Sequence, residues 1–138
     1  MTDYSDSKIV QALVATGKWG GRAAFIGERA GFKCEYCDRD LFASVNDYKA
    51  WQEDHIVPLS KDGDERDLEN IALSCRTCNF NLKSRWDPRD KCKENASREE
   101  LIGAVREYVA RKRTKVLQEV IQFRELVYGP VKSEGNGN

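Results

Sequence analysis

The chain has 138 residues, 33% of them charged, with 23 basic side chains, 23 acidic ones and a single histidine. That length fits one domain with an appended helix, and a mean hydropathy of -0.69 leaves only a modest core. No apolar run is long enough to cross a membrane. The polar start Met1-Thr2-Asp3-Tyr4-Ser5-Asp6 is unlike a signal peptide. Five cysteines, four of them in two Cys-x-x-Cys pairs, point to metal binding in a reducing, cytoplasmic setting rather than to a disulfide framework.

Zero net charge hides an uneven distribution. Residues 1–78 carry 10 Lys/Arg against 14 Asp/Glu, and residues 79–118 carry 11 against 6. Attraction for phosphate therefore has a place to reside, after the second cysteine pair. The competing reading of that stretch is a solvated helix rich in Lys and Arg.

In chain order, Ser7 to Thr16 predicts a helix with Ile9, Val10, Leu13 and Val14 on one face, broken by Gly17 and Gly20-Gly21. Arg22 to Ala30 predicts a second, capped by Gly31. Phe32 leads into the first pair, Cys34-x-x-Cys37, with Tyr36 inside a tight turn. Residues 38–53 are irregular, with a short helix near Val45–Trp51. His55–Leu59 has strand character until Pro58. Asp62-Gly63 marks a turn. Asn70–Ser74 predicts a second strand leading to Cys75, and Asn79–Arg85 a helix closed by Asp87-Pro88. Ser97-x-x-Glu100 is a capping box that opens a long helix, stopped by Gly129-Pro130. Part of its apolar face is expected to pack on the N-terminal helix and part to meet another chain. The tail is expected to be disordered. The segments are thus 1–21 (N-terminal helix), 22–90 (metal-bound core), 97–128 (long helix) and 129–138 (tail).

Cys34, Cys37, Cys75 and Cys78 offer the four thiolates of a tetrahedral structural zinc site. A redox pair would come as one such motif near a helix start, not two. Thirty-seven residues separate Cys37 from Cys75, so the insert must form a substructure of its own. Cys92 is a spare thiol.

The lone His55 lies inside that insert, directly after Asp54. Hydrolysis of a phosphodiester needs a deprotonated water, neutralised phosphorus oxygens and a stabilised leaving oxygen. A neutral imidazole suits the first task. A divalent ion on hard oxygens suits the others, and Asp54 and Asn79 offer such oxygens. Adjacent residues of a flat strand point to opposite faces, so Asp54 and His55 share a site only where the strand bends. Each residue also has a plainer reading: a surface ion pair for Asp54 and His55, caps for Asn70 and Asn79, and solvated charges for Arg76 and Lys83.

Taken together, Cys34-x-x-Cys37, Asp54-His55-Ile56-Val57-Pro58-Leu59-Ser60-Lys61-Asp62-Gly63, Leu68-Glu69-Asn70-Ile71 and Cys75-Arg76-Thr77-Cys78-Asn79-x-x-x-Lys83 resemble the zinc-containing form of the HNH endonuclease family. The resemblance spans roughly residues 22–86. It implies an α+β fold: a small zinc-stapled ββα-metal core, two short antiparallel strands and a helix, flanked here by an N-terminal helix and the long C-terminal one. It implies His55 as general base and Asp54 as a ligand of a catalytic Mg2+ or Mn2+. It further implies that Asn70 ties down the loop between the strands, and that Asn79 is a metal ligand where the family name has His. Lys83 and Arg76 are candidate phosphate contacts. The expected activity is metal-dependent hydrolysis of DNA, double-stranded above all, one strand per site. A homodimer or larger complex through the C-terminal helix is the expected partner arrangement. Other readings stand beside it: a non-enzymatic zinc module that binds nucleic acid or protein, a nuclease subunit active only within a larger complex, and a toxin-like nuclease held by an inhibitor.

Overall fold

A computed structural model describes residues 7–61, 63 and 66–130. The tail at 131–138, read above as disordered, and Asp62 of the turn signal lie outside the described residues, as do residues 1–6. The first helix, α1 (Lys8–Ala15), starts on Ser7, whose hydroxyl accepts the Val10 N–H at 3.2 Å. It packs chiefly on α2 (Gly21–Arg29). A short α3 (Val45–Lys49) follows, capped by Ser44. Then come β1 (Trp51–His55) and β2 (Ile71–Cys75), an antiparallel pair in which Trp51 faces Cys75, Asp54 faces Ala72 and His55 faces Ile71. A π-wound helix, Thr77–Lys83, leaves the second cysteine pair; we call it the knuckle helix. The long α4 (Arg98–Tyr128) begins at a complete capping box between Ser97 and Glu100 and stops at Gly129, whose φ of 84° suits a residue without a Cβ. Among the described residues, no helix is long and apolar enough to cross a membrane.

The strand assignment needs one correction. His55–Leu59 reads as a strand by its apolar, β-branched content, yet the strand ends at His55 and the chain bends at Ile56 and Val57. The Ile56 N–H goes to the Asn70 backbone oxygen at 2.8 Å, and Val57 is held by the Asn70 side chain instead of a neighbouring strand. The true strand lies upstream, in Trp51-Gln52-Glu53-Asp54. Its polar residues hid it, because one face of β1 meets polar groups of the knuckle helix.

All five residues of β2 are buried, as a strand covered on both faces must be. Its outer edge has no third strand. Glu35 supplies one residue's worth of pairing instead: its N–H donates to the Leu73 oxygen at 2.8 Å, and its carboxylate accepts the Leu73 N–H at 2.8 Å. Arg98 of α4 holds that carboxylate at 3.0 Å and donates to the Ile71 oxygen at 2.8 Å. Unpaired strand groups are costly when buried, so these side chains complete the sheet.

The core gathers Ile26 from α2, Tyr36 and Leu41 from the first knuckle region, Ile56, Ile71, Leu73 and Leu82, and Val105 and Val109 from α4. A second correction concerns α4. It packs mainly on the knuckle helix and on the Pro88–Lys91 turn rather than on α1. Tyr108 stacks on Trp86 with ring centroids 4.1 Å apart. From Ala110 to Tyr128 every residue is exposed. Trp51 packs edge-on against Trp19 beside Phe32, so Trp51 and Trp86, on either side of the Asp54–Lys83 stretch, both serve packing.

Candidate metal and catalytic site

The two cysteine pairs converge. The four sulfurs of Cys34, Cys37, Cys75 and Cys78 lie within 4.8 Å of one another, and Cys37 and Cys75 are 3.8 Å apart. A zinc–thiolate bond of about 2.3 Å makes the edge of a tetrahedron about 3.8 Å, so the cluster has the size and donor chemistry of a structural zinc site. Two N–H groups already point at sulfur: Tyr36 donates to Cys34 and Cys78 to Cys75, each at 3.4 Å. Arg113 of α4 donates to the Cys78 sulfur at 3.0 Å. Hydrogen bonding among the close sulfurs lowers the Cys37 and Cys75 thiols and raises those of Cys34 and Cys78.

Between the first two cysteines sits Tyr36, buried, whose hydroxyl donates to Asp54 Oδ2 at 2.6 Å. The same oxygen receives the Lys83 ammonium at 3.1 Å, and Lys83 also donates to the His55 backbone oxygen at 3.1 Å. The Lys83 side chain is 0% exposed. It therefore stands inside the fold as the counter-charge of Asp54, not at a surface where a phosphate would reach it. Burial pushes the Asp54 carboxyl above its ordinary range, while the Lys83 charge and the Tyr36 hydroxyl pull the other way. Tyr36 itself is raised well above the ordinary phenol range, first by burial and then by the Asp54 charge.

The knuckle helix lies along β1. Asn79 Nδ2 donates to Gln52 Oε1 at 2.9 Å, and four residues on Lys83 meets Asp54. Gln52 and Asp54 share one face of the strand because they are two apart. Asn79 and Asp54 thus belong to one face-to-face contact. In both, an oxygen is left over: Asp54 Oδ1 and Asn79 Oδ1 have no hydrogen bond among the described residues.

His55 is the last residue of β1, at the point where the bend begins. Its ring is partly exposed and has no hydrogen-bond partner among the described residues. Asn70 secures the bend after it: its amide oxygen accepts the Val57 N–H at 2.8 Å and its Nδ2 donates to the Val57 oxygen at 3.0 Å. Gly63 closes the same loop, its N–H bonded to the Pro58 oxygen at 3.0 Å. A Cβ there would fall 1.9 Å from the Val57 oxygen, so the approach requires glycine.

The structure therefore gathers Asp54, Asn79 and Lys83 on one face of β1, with His55 at its end and Asn70 behind the bend. Arg76 is exposed, its guanidinium 5.2 Å above the ring of Phe80. Two participants escaped the sequence reading. Gln52 was marked only by its two-residue spacing from Asp54. Tyr36 was marked by being the one large ring between two cysteines.

A comparison with curated proteins and one with solved structures return no match. The family model described as "HNH endonuclease" matches residues 34–85, from the first zinc-site cysteine to just past Lys83. The paired strands, the knuckle helix and the four clustered cysteines all fall within the residues that are similar to the HNH endonuclease model.

Proposed function

We propose that the protein is a metal-dependent endonuclease that hydrolyses phosphodiester bonds in DNA, one strand per site. The observation that carries this is the pairing of a buried Asp54, held by the Tyr36 hydroxyl and the Lys83 ammonium, with a half-buried His55 at the strand end. His55 serves as the general base, taking a proton from the attacking water. Asn70 holds the bend that fixes its position. The Oδ1 atoms of Asp54 and Asn79 are hard donors, and a divalent Mg2+ or Mn2+ accepts one carboxylate and a few oxygens, completing its shell with water and phosphate. Those two residues would hold it, and its charge would stabilise phosphate oxygens and the leaving group. Lys83 and Tyr36 occupy Oδ2 and so position Asp54 with one oxygen outward. Exposed Arg76 is the phosphate contact of the pair first considered. Double-stranded DNA is the substrate, held mainly through its backbone.

A second reading has one observation in its favour. Lys83 already neutralises Asp54 within the protein, so the site holds together without a catalytic ion, as in a zinc module that only binds. Supercoiled plasmid separates the two. Zinc-loaded wild type with Mg2+ or Mn2+ is expected to give nicked or linear product. His55→Ala, with zinc retained, should lose about 100-fold to 10,000-fold in rate. No cleavage by wild type with either metal, alongside DNA binding that survives His55→Ala, would establish the binding module.

A further inference from the structure

The outer half of α4 has an apolar face that none of the described residues covers. Val116, Leu117, Val120, Ile121, Phe123, Leu126, Val127 and Tyr128 are between 45% and 76% exposed. They continue the stripe on which Val105 and Val109 bury themselves against the core, so the helix carries its inward face past the end of the body. Within it, Val116, Val120, Phe123 and Val127 follow steps of four, three and four, which is the seam of a two-stranded coiled coil. β-Branched Val120 and Val127 fall at the seam positions where such residues favour two parallel strands.

We propose that the occupant of this face is α4 of a second copy of the chain, running parallel. Charge decides the direction. Glu119 flanks the seam on one side and Arg124 on the other, five residues later. In a parallel pair, opposite flanks of the two helices meet, and Glu119 of each copy reaches Arg124 of the other, twice by symmetry. In an antiparallel pair like flanks meet, and around this centre Glu119 confronts Glu119. Val116, Leu117, Val120, Phe123, Leu126 and Val127 line the seam or its flanks, and with the stems of their charged neighbours they offer several hundred Å2 per copy, the range of a small specific interface. Arg113 would head the seam, but it is committed to the Cys78 sulfur, so pairing starts one turn later and leaves the bodies free.

A parallel pair puts both bodies at one end of the coil. If the nuclease reading above is right, two sites then lie at the same end of the coil, related by the twofold axis, and a double-strand break needs no second encounter. The dimer itself does not depend on that reading, and its test is read as mass.

Sedimentation equilibrium of the zinc-loaded full chain should give twice the monomer mass at micromolar concentration. Phe123→Asp should weaken association at least 100-fold while zinc content and helix signal hold. Glu119→Arg alone and Arg124→Glu alone should each weaken it about threefold to tenfold, and the double exchange should restore it. A monomer at every concentration overturns the proposal. So does a dimer indifferent to Phe123→Asp, which would lie elsewhere on the surface. Tighter association on Glu119→Gln alone, which removes a like-charge contact only in the antiparallel arrangement, would show an antiparallel pair and overturn the parallel one.

Discussion

Lys83 and Asp54 form a buried ion pair in which each side chain depends on the other. The lysine has no exposed surface, and the carboxylate has Tyr36 on the same oxygen. Removing one partner of such a pair strands the other charge and costs about 3–5 kcal/mol, whereas removing both can be nearly neutral. Lys83→Met is therefore expected to lower urea stability by about that amount. Asp54→Asn combined with Lys83→Met should recover most of it. Equal losses in the single and double variants would show that Lys83 matters for packing alone. A second carboxylate makes the opposite kind of statement about pH. Arg39 and the Ser44 hydroxyl hold the Asp47 carboxyl below its ordinary value of 3.8. A depressed folded-state value means the contribution is complete above the unfolded value and fades as pH falls through the folded one. Asp47→Asn should therefore lower the melting temperature by a constant amount above about pH 5, and the gap should close below about pH 4. Zinc loss in acid strikes both proteins alike. A gap that widened toward acid would refute the assignment.

Among the elements, those that make their own local arguments were legible in the sequence. Ser97 and Glu100 announce α4 because a capping box satisfies helix N–H groups with neighbouring side chains. The knuckle cysteines announce themselves by spacing. β1 did not, because a strand is recognised by alternation and this one buries Asp54 and turns Gln52 toward Asn79. The polar face that makes it the site is the one that disguised it. The burial of Lys83 is hidden for a related reason: a lysine after a nucleic-acid motif suggests phosphate, and nothing local shows that the carboxylate of Asp54, far upstream in the chain, pairs with it. The pairing of Glu35 with Leu73 was equally hidden, since a side chain completing a sheet leaves no periodic trace. The π winding of the knuckle helix, with the Ser84 N–H reaching back to the Asn79 oxygen at 2.9 Å, also has no sequence signature.

For the molecule as a whole, the four-cysteine cluster ties together parts far apart in sequence. Cys34 and Cys37 belong to the turn after α2, Cys75 ends β2, Cys78 sits in the knuckle helix, and Arg113 brings α4 to the same sulfur. A core this small depends on that tie. Stripping zinc with a strong chelator is expected to abolish the cooperative melt of the core, and stoichiometric zinc should restore it. Helix signal from α4 should fall only in part, because its outer half has few contacts to lose. Retention of a full, unchanged melt in metal-free protein would mean that the four sulfurs are not structural.

Tyr36 gives this arrangement a practical edge. Its neighbours along the chain, Glu35 and Cys37, lead directly into the thiol cluster, and its hydroxyl ends on Asp54. Whatever loosens the cysteines also loosens Tyr36, one of the two groups that hold the carboxylate. An EDTA control in a cleavage assay thus has two targets at once, and silence after chelation says nothing about which ion was needed. Adding excess magnesium afterwards should fail to revive the sample, while zinc followed by magnesium should succeed. The order of those two additions reads out the path from thiols to acid through a single phenol.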